Sequence, residues 1–514
     1  MINFSDLTFI FRFLPVFIVA FYLTPYEFRT LTLLLGSLVF YGVGDIKMFP
    51  VLLGAVIINY LFSRALKGGG SKALLGFAIV LDALMLVEFK LLGQFVDSSF
   101  MPIGVSFFTF KMISFQIDNY RGKVDEKAGF LDIAAYFVMF PQIVSGPIMR
   151  FEDYVKNPFM KLWNRENVET DSESASETET DQEKEIEVLE TVKNDSDSDS
   201  EIINLDTDEG MEKLEDTGKN ESAAEVEKTG KLHAIEDGLR FFIIGLAFKV
   251  LLADHLSMLW RDIGTIGYES ISTALAWLGA YTYSMELYFD FWGYSLMAAG
   301  IGVMLGFPFI VNFDQPYGSK NVSEFYRRWH ATLGSWFRDY IYFPMGGSRK
   351  GNLRTVLNLL TVWLITGFWH GVTLNFILWG MIIFVIILCE RFILAKLPKF
   401  LGGLIGRINV LVLIPLTWVV FALPDNGMLS TYFMRLFPFF GVGVSINQGD
   451  FIKNVGIYGI VLGTGLILMI PAVYGFFVKH RKNPVFTVGL LLLFWACVYS
   501  LSNAAGNPFM YFKF

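Results

Sequence analysis

TVLNLLTVWLITGFWHGVTLNFILWGMIIFVIILCERFILA, residues 355–395, is too long and too apolar to be a surface element of a water-soluble domain. A hydrocarbon core about 30 Å thick is crossed by a helix of roughly 20 apolar residues. The stretch therefore reads as one long span, or as two short ones with a break at His370–Gly371. Similar apolar runs lie near 7–23, 30–44, 48–66, 73–95, 101–117, 130–148, 235–253, 272–290, 293–311 and 408–423, which makes about eleven. Two more follow near 455–478 and 484–502. The expectation is an all-α polytopic membrane protein with interfacial or re-entrant helices beside its spans.

Composition agrees. Of 514 residues 54% are apolar and 18% charged, 52 are Phe, and the mean hydropathy is +0.48. Soluble chains carry about 45–50% apolar and about 25% charged residues. A soluble single-domain enzyme, a disulfide scaffold and a basic nucleic-acid binder are thereby excluded. Cys389 and Cys497 both sit in apolar runs and form no CxxC. The run from Leu7 lacks a basic start and a small-residue cleavage site, so it reads as a retained first span.

The net charge of −8 conceals two opposite regions. Residues 165–230 hold 24 acidic against 6 basic side chains, while the rest of the chain holds 25 against 35. The acidic stretch, with DSESASETETDQEKE and NDSDSDSE, has no aromatic residue and cannot bury enough apolar area to offset its ordering entropy. It is expected to be a disordered insert, either a solvated linker or a docking or phosphorylation tail. It separates N-terminal spans (1–164) from a C-terminal membrane core (231–514).

Residues 312–354 are polar and basic yet rich in Trp and Tyr. Phe325, Trp329, Trp336 and Tyr340 recur at helical spacing, which predicts one aromatic-faced interfacial helix over 320–345, with Ser323 able to cap it. Arg327, Arg328, Arg338, Arg349, Lys350 and Arg354 supply the opposite side. GGSRKG at 346–351 lacks the spacer of a Walker loop. It reads either as a positive loop near anionic lipid or as a clamp for the phosphates of a donor such as coenzyme A.

Five histidines occur. His233, His255 and His480 lie in loops or at span ends and receive no role. His370 stands inside an apolar run, where an ionisable residue is a functional candidate by default. Burial favours its neutral ring, which can accept a proton as a general base. The alternative is a helix-interface histidine bonded to a carbonyl. His330 lies in Arg-Arg-Trp-His of the aromatic segment. No metal-binding spacing joins any of them. Asp82, Glu88 and Lys90 also interrupt an apolar run. Glu286 and Asp290, four apart, share a helix face and require a polar cavity, a nearby cation or the arginines of 327–354. With Asp339 they are candidate polar groups of the interior.

Trp369-His370-Gly371, with Arg327-Arg328-Trp329-His330 forty residues earlier, resembles the membrane-bound O-acyltransferase superfamily in its bacterial alginate O-acetylase branch. The blocks MPIGVSFFTFKMISFQIDNYRG, FPQIVSGPIMRFED, YFDFWGYSLMAAGIGVMLGF, NFDQPY, RRWHATLGSWFRDYIYFPMGGSRKG and the closing NPFMYFKF support the resemblance. It departs at Trp292 and Leu296, where the family's block usually has Ser and Asp, and at Glu286, where an amide is common. The resemblance implies spanning helices around a central tunnel, with His370 catalytic and His330 the second functional position. It implies an O-acetyltransferase without bound cofactor, taking acetyl-CoA or another acyl thioester from the cytoplasm toward a cell-envelope polysaccharide. It further implies a place in the cytoplasmic membrane and an extracytoplasmic partner of the SGNH class. A D-alanyl transferase of teichoic acid, fed by a carrier-protein thioester, is the alternative within the superfamily. A secondary transporter or flippase is the alternative outside it, although no internal repeat supports that class.

Overall fold

A computed structural model describes residues 3–67, 69–124, 128–144, 146–160, 230–440, 447 and 449–503. The acidic stretch expected to be disordered lies outside the described residues apart from Gly230, as does the closing NPFMYFKF. All regular structure among the described residues is helical, as the apolar runs require. Backbone groups in lipid must be satisfied within their own segment.

The N-terminal part holds α1 (Leu14–Leu23), α2 (Arg29–Gly44), α3 (Phe49–Leu66), α4 (Lys72–Phe95) and α5 (Val105–Tyr120). Three short pieces follow: α6 (Phe130–Val138), α7 (Phe140–Ile143) and α8 (Phe151–Tyr154). After the acidic stretch come α9 (Lys231–Ala247), which runs through a π-turn into α10 (Asp254–Ile266), and α11 (Thr273–Met304). Then come α12 (Val322–Arg328), α13 (Ala331–Phe337), α14 (Asn352–His370) and α15 (Leu374–Phe392). The chain closes with α16 (Lys399–Ile408), α17 (Ile414–Ala422), α18 (Asn426–Leu436), α19 (Asp450–Leu468), α20 (Pro471–His480) and α21 (Pro484–Asn503).

Seven helical segments among the described residues are long and apolar enough to cross a membrane: 49–66, 98–120, 231–266, 374–396, 399–422, 450–468 and 484–503. They divide by burial. The most apolar window of 98–120 is 72% buried, whereas that of 484–503 is 6% buried. α5 is thus an inner helix, and α21 turns its Leu, Val and Trp side chains outward, as a lipid-facing helix must.

Two of the expected spans, 272–290 and 293–311, are instead the single helix α11. At about 1.5 Å per residue its 32 residues run roughly 48 Å. Every residue from Thr282 to Met304 is buried. Gly293 does not break this helix; it seats a neighbour. A Cβ on Gly293 would lie 2.6 Å from the Gly245 carbonyl oxygen, and one on Gly300 2.5 Å from that of Gly238. The reciprocal distances, 2.4 Å for both Gly245 and Gly238, show α9 and α11 packed backbone to backbone in antiparallel sense. Small residues permit such close approach in membranes. The run 355–395 takes the second of its two readings, because α14 ends at His370 and α15 begins at Leu374. The run 130–148 is not one span: Val138 and Phe140 belong to separate short helices, with Pro141 near the start of the second.

The segment expected as one interfacial helix over 320–345 is broken. α12 stops at Arg328, His330 takes a left-handed conformation (φ 48°, ψ 50°), and α13 starts at Ala331. A backbone pairing causes the break. Asp314 N–H donates to the Arg328 carbonyl (3.0 Å) and Ala331 N–H to the Asn312 carbonyl (2.9 Å), flanking a bridge between Phe313 and Trp329. The four aromatics consequently do not share a face at headgroup depth. Phe325 and Trp329 enter the main core, while Trp336 and Tyr340 join a second cluster with Phe110, Phe337 and Trp369. Nor does Ser323 cap α12. Asn321 Oδ1 accepts from Glu324 N–H (2.7 Å), and buried Glu390 on α15 accepts from the N–H groups of Val322 (2.7 Å) and Ser323 (3.0 Å).

Candidate active site

The end of α14 is fixed by two close crossings with α15. A Cβ on Gly367 would meet the Phe376 carbonyl oxygen at 2.7 Å, and one on Gly380 the Trp363 carbonyl oxygen at 2.6 Å. Gly371, just beyond the helix, lies against the Phe376 ring. These glycines let two helices touch and place His370, 6% exposed, at the break between them. Its imidazole is boxed by aromatic rings. The centroid of Trp369 is 4.5 Å away, and Trp379 and Phe421 stand edge-on at 5.1 and 5.0 Å.

His330 approaches the same indole, with its centroid 6.3 Å from that of Trp369. It is 4% exposed and meets Phe291 of α11 at 4.7 Å, edge to face. Its hydrogen bonding defines the ring. His330 Nδ1 lies 2.9 Å from Asn312 Oδ1. That oxygen also receives the Thr332 hydroxyl (2.8 Å), while Asn312 Nδ2 donates to Ser295 Oγ (3.0 Å). The Thr332 N–H, which can only donate, points to the same oxygen (3.4 Å), so the amide orientation is set. Nδ1 therefore carries the proton of the neutral ring, and Nε2 carries a lone pair. Nε2 is buried and has no hydrogen-bond partner among the described residues. A left-handed, non-glycine backbone costs about 1–3 kcal/mol and persists where the surroundings impose it. Here it holds the His330 ring within 6.3 Å of Trp369, the indole that His370 also meets.

The other expected residues fall into separate groups. Asp290 and Glu286 are buried on α11, but Asp290 pairs with Lys249 (2.7 Å) in the π-turn after α9, not with an arginine of 327–354. Lys249 also meets Asp254 at 2.7 Å. Arg328 pairs with Glu324 (2.7 Å) and Asp314 (3.5 Å). Arg338 donates to Asp339 (2.7 Å), which also binds Arg150. Burial alone would raise the Asp339 carboxyl's pKa, but its hydrogen bonds with the two arginines and their charge hold it below the usual carboxylate range. Arg327, Arg349 and Lys350 are exposed. Arg349 and Lys350 project from a turn with positive φ at Gly346, Gly347 and Gly351, which is tied down by Arg354 to the Met345 carbonyl and by Asn358 to the Gly347 carbonyl.

Three contributors were passed over in the sequence, although Lys249 and Glu390, as charges in or at the end of apolar runs, carried the same signal as His370. Asn312 stood in the NFDQPY block without a role, Lys249 in an apolar run, and Glu390 at the end of another. Lys90, noticed only as a charge in an apolar stretch, brings its ammonium 5.9 Å from the Trp369 ring centroid.

The profile of the MBOAT, membrane-bound O-acyltransferase family matches residues 219–401, which include α11 and both histidines. Similarity extends over the whole chain. The probable alginate O-acetylase AlgI of Pseudomonas aeruginosa is 30% identical over 459 residues, covering 85% of this chain and 75% of that protein. Its counterpart in Pseudomonas putida is 29% identical over 564 residues, covering 99% and 100%. The peptidoglycan O-acetyltransferase of Helicobacter pylori is 29% identical over 427 residues, covering 74% and 68%.

Proposed function

Because the chain belongs to the membrane-bound O-acyltransferase family and is a multi-pass membrane acyltransferase, we propose that it transfers acetyl from a thioester donor to a hydroxyl of a cell-envelope polysaccharide. The carrying observation is the buried pair His330 and His370, both against Trp369, one with a lone pair fixed in place. The activities for which the relatives are named support acetyl as the group and a polysaccharide as the acceptor. Family membership removes the transporter and flippase alternatives.

The acceptor hydroxyl attacks the thioester carbonyl as His370 takes its proton. The carbonyl electrons move to oxygen and return as the carbon–sulfur bond breaks. The thiolate then takes the proton back from the imidazolium and leaves as thiol. General-base help of this kind is typically worth 10²–10⁴-fold. His330 Nε2 accepts from a neighbouring hydroxyl of the sugar and so orients it. The aromatic walls keep water from the thioester. Acetyl-CoA is the donor in this proposal, its phosphates meeting Arg349 and Lys350. An extracytoplasmic SGNH-type transferase and residence in the cytoplasmic membrane belong to the same proposal.

Pulse-labelling cells with radioactive acetate and counting alkali-labile label in the envelope polysaccharide tests it. His370→Ala is expected to lose at least 10²-fold in the initial rate at normal protein level, and His330→Ala about 10-fold or more. Wild-type labelling in an accumulating His370→Ala variant would overturn the assignment of the base.

A further inference from the structure

Three lysines are buried among the described residues, and two have partners. Lys249 lies between Asp254 and Asp290. Lys111 donates to the Tyr136 carbonyl and to Gln142 Oε1. Lys90 on α4 is 7% exposed as a residue, and its ammonium, which is not among the fully enclosed unpaired atoms, meets no carboxylate and no hydrogen-bond acceptor among the described residues. Glu88 is exposed and two positions away, so it cannot face Lys90 along the helix. What the ammonium does meet is Trp369, whose indole is also flanked by His330 and His370.

An ammonium drawn into a largely apolar surrounding without a counter-ion is costly, and a single indole 5.9 Å from it offsets only part of that cost. The charge is poorly matched to the protein alone. It suits a site in which negative charge forms only during the reaction. Attack on a thioester creates such charge on the carbonyl oxygen, and a fixed cation in a site closed to water stabilises it without reorganising at that moment.

We propose that Lys90 is the electrostatic partner of the thioester oxygen: its ammonium, beside Trp369 and between α4 and the two histidines, stabilises the oxyanion formed when the acceptor hydroxyl attacks. This rests on the acyl transfer proposed above. The electron pair of the carbonyl bond moves onto oxygen next to Lys90. It returns as the thiolate departs, so Lys90 keeps its protons throughout.

The test replaces the chromosomal copy with Lys90→Met, Lys90→Gln, Lys90→Arg or His370→Ala and follows the initial rate of acetate labelling of the envelope, alongside protein level in the membrane. Lys90→Met, with similar length and no charge, is expected to accumulate normally and lose about 10²–10³-fold in rate. Lys90→Arg, which restores the charge, is expected to keep at least a tenth. A rate within threefold of wild type in Lys90→Met would overturn the proposal. So would failure of both Lys90→Met and Lys90→Gln to accumulate, since Lys90 would then be a packing charge of α4. Loss in His370→Ala together with normal Lys90→Met would sink this proposal alone. Normal labelling in His370→Ala would sink the assigned base instead.

Discussion

Asn312 decides which nitrogen of His330 can act. Its side-chain oxygen accepts from Nδ1, so Nε2 faces the site as an acceptor. Asn312→Ala removes that restraint and leaves Nδ1 and Thr332 without their shared partner. Losing the partner of a buried polar group costs about 1–3 kcal/mol of stability, and the acetyl-transfer rate is expected to fall by no more than in His330→Ala, with the protein still in the membrane. An unchanged rate would show that the tautomer is irrelevant to turnover. His370 was legible as a residue type, since a histidine in an apolar run is costly unless used, and His330 through the resemblance that RRWH carries. Asn312 was not. An asparagine in a polar loop has no cost to betray it, and its role appears only once the bridge between Phe313 and Trp329 folds the loop against α13.

The contact of α9 with α11 shows how a helix pair records its partner in glycine spacing. Gly238 and Gly245 are seven apart, as are Gly293 and Gly300, and each pair abuts the backbone of the other helix. Gly300→Ala would force a methyl group against a carbonyl and is expected to destabilise the protein by about 1–3 kcal/mol. Gly463→Ala in α19, with open space around it, is expected to stabilise by up to about 1 kcal/mol. Thermal unfolding of the solubilised protein measures both, and equal effects would contradict this packing. The glycine turn at 346–351 is the other element with an expected readout. Changing Arg349 and Lys350 together to Ala should raise the KM for acetyl-CoA at unchanged kcat, whereas an unchanged KM would return the turn to a lipid-facing role. The helices themselves were readable from hydropathy because lipid leaves a backbone few alternatives. The break at His330 was not. Helical spacing of Phe325, Trp329, Trp336 and Tyr340 continues in phase across it, and periodicity does not register a single left-handed residue.

Across the whole molecule, a lipid-facing shell surrounds a core in which α11 is buried along most of its length and the two histidines meet at one indole. The class of molecule was legible from apolar runs and from the WHG and RRWH blocks. Which charges pair was not, because Asp290 finds Lys249, on the preceding side of the chain and about as far in sequence as the arginines of 327–354. In the proposed function the molecule is a device for bringing a thioester and a sugar hydroxyl together out of contact with water. Its most direct test is acetyl-CoA consumption by the full-length protein in nanodiscs, supplied with envelope polysaccharide, with wild type beside His370→Ala. Thiol release and polysaccharide-bound acetate that both fall at least 10²-fold in the folded variant are expected. Equal release and equal acetylation by the two proteins would contradict the account.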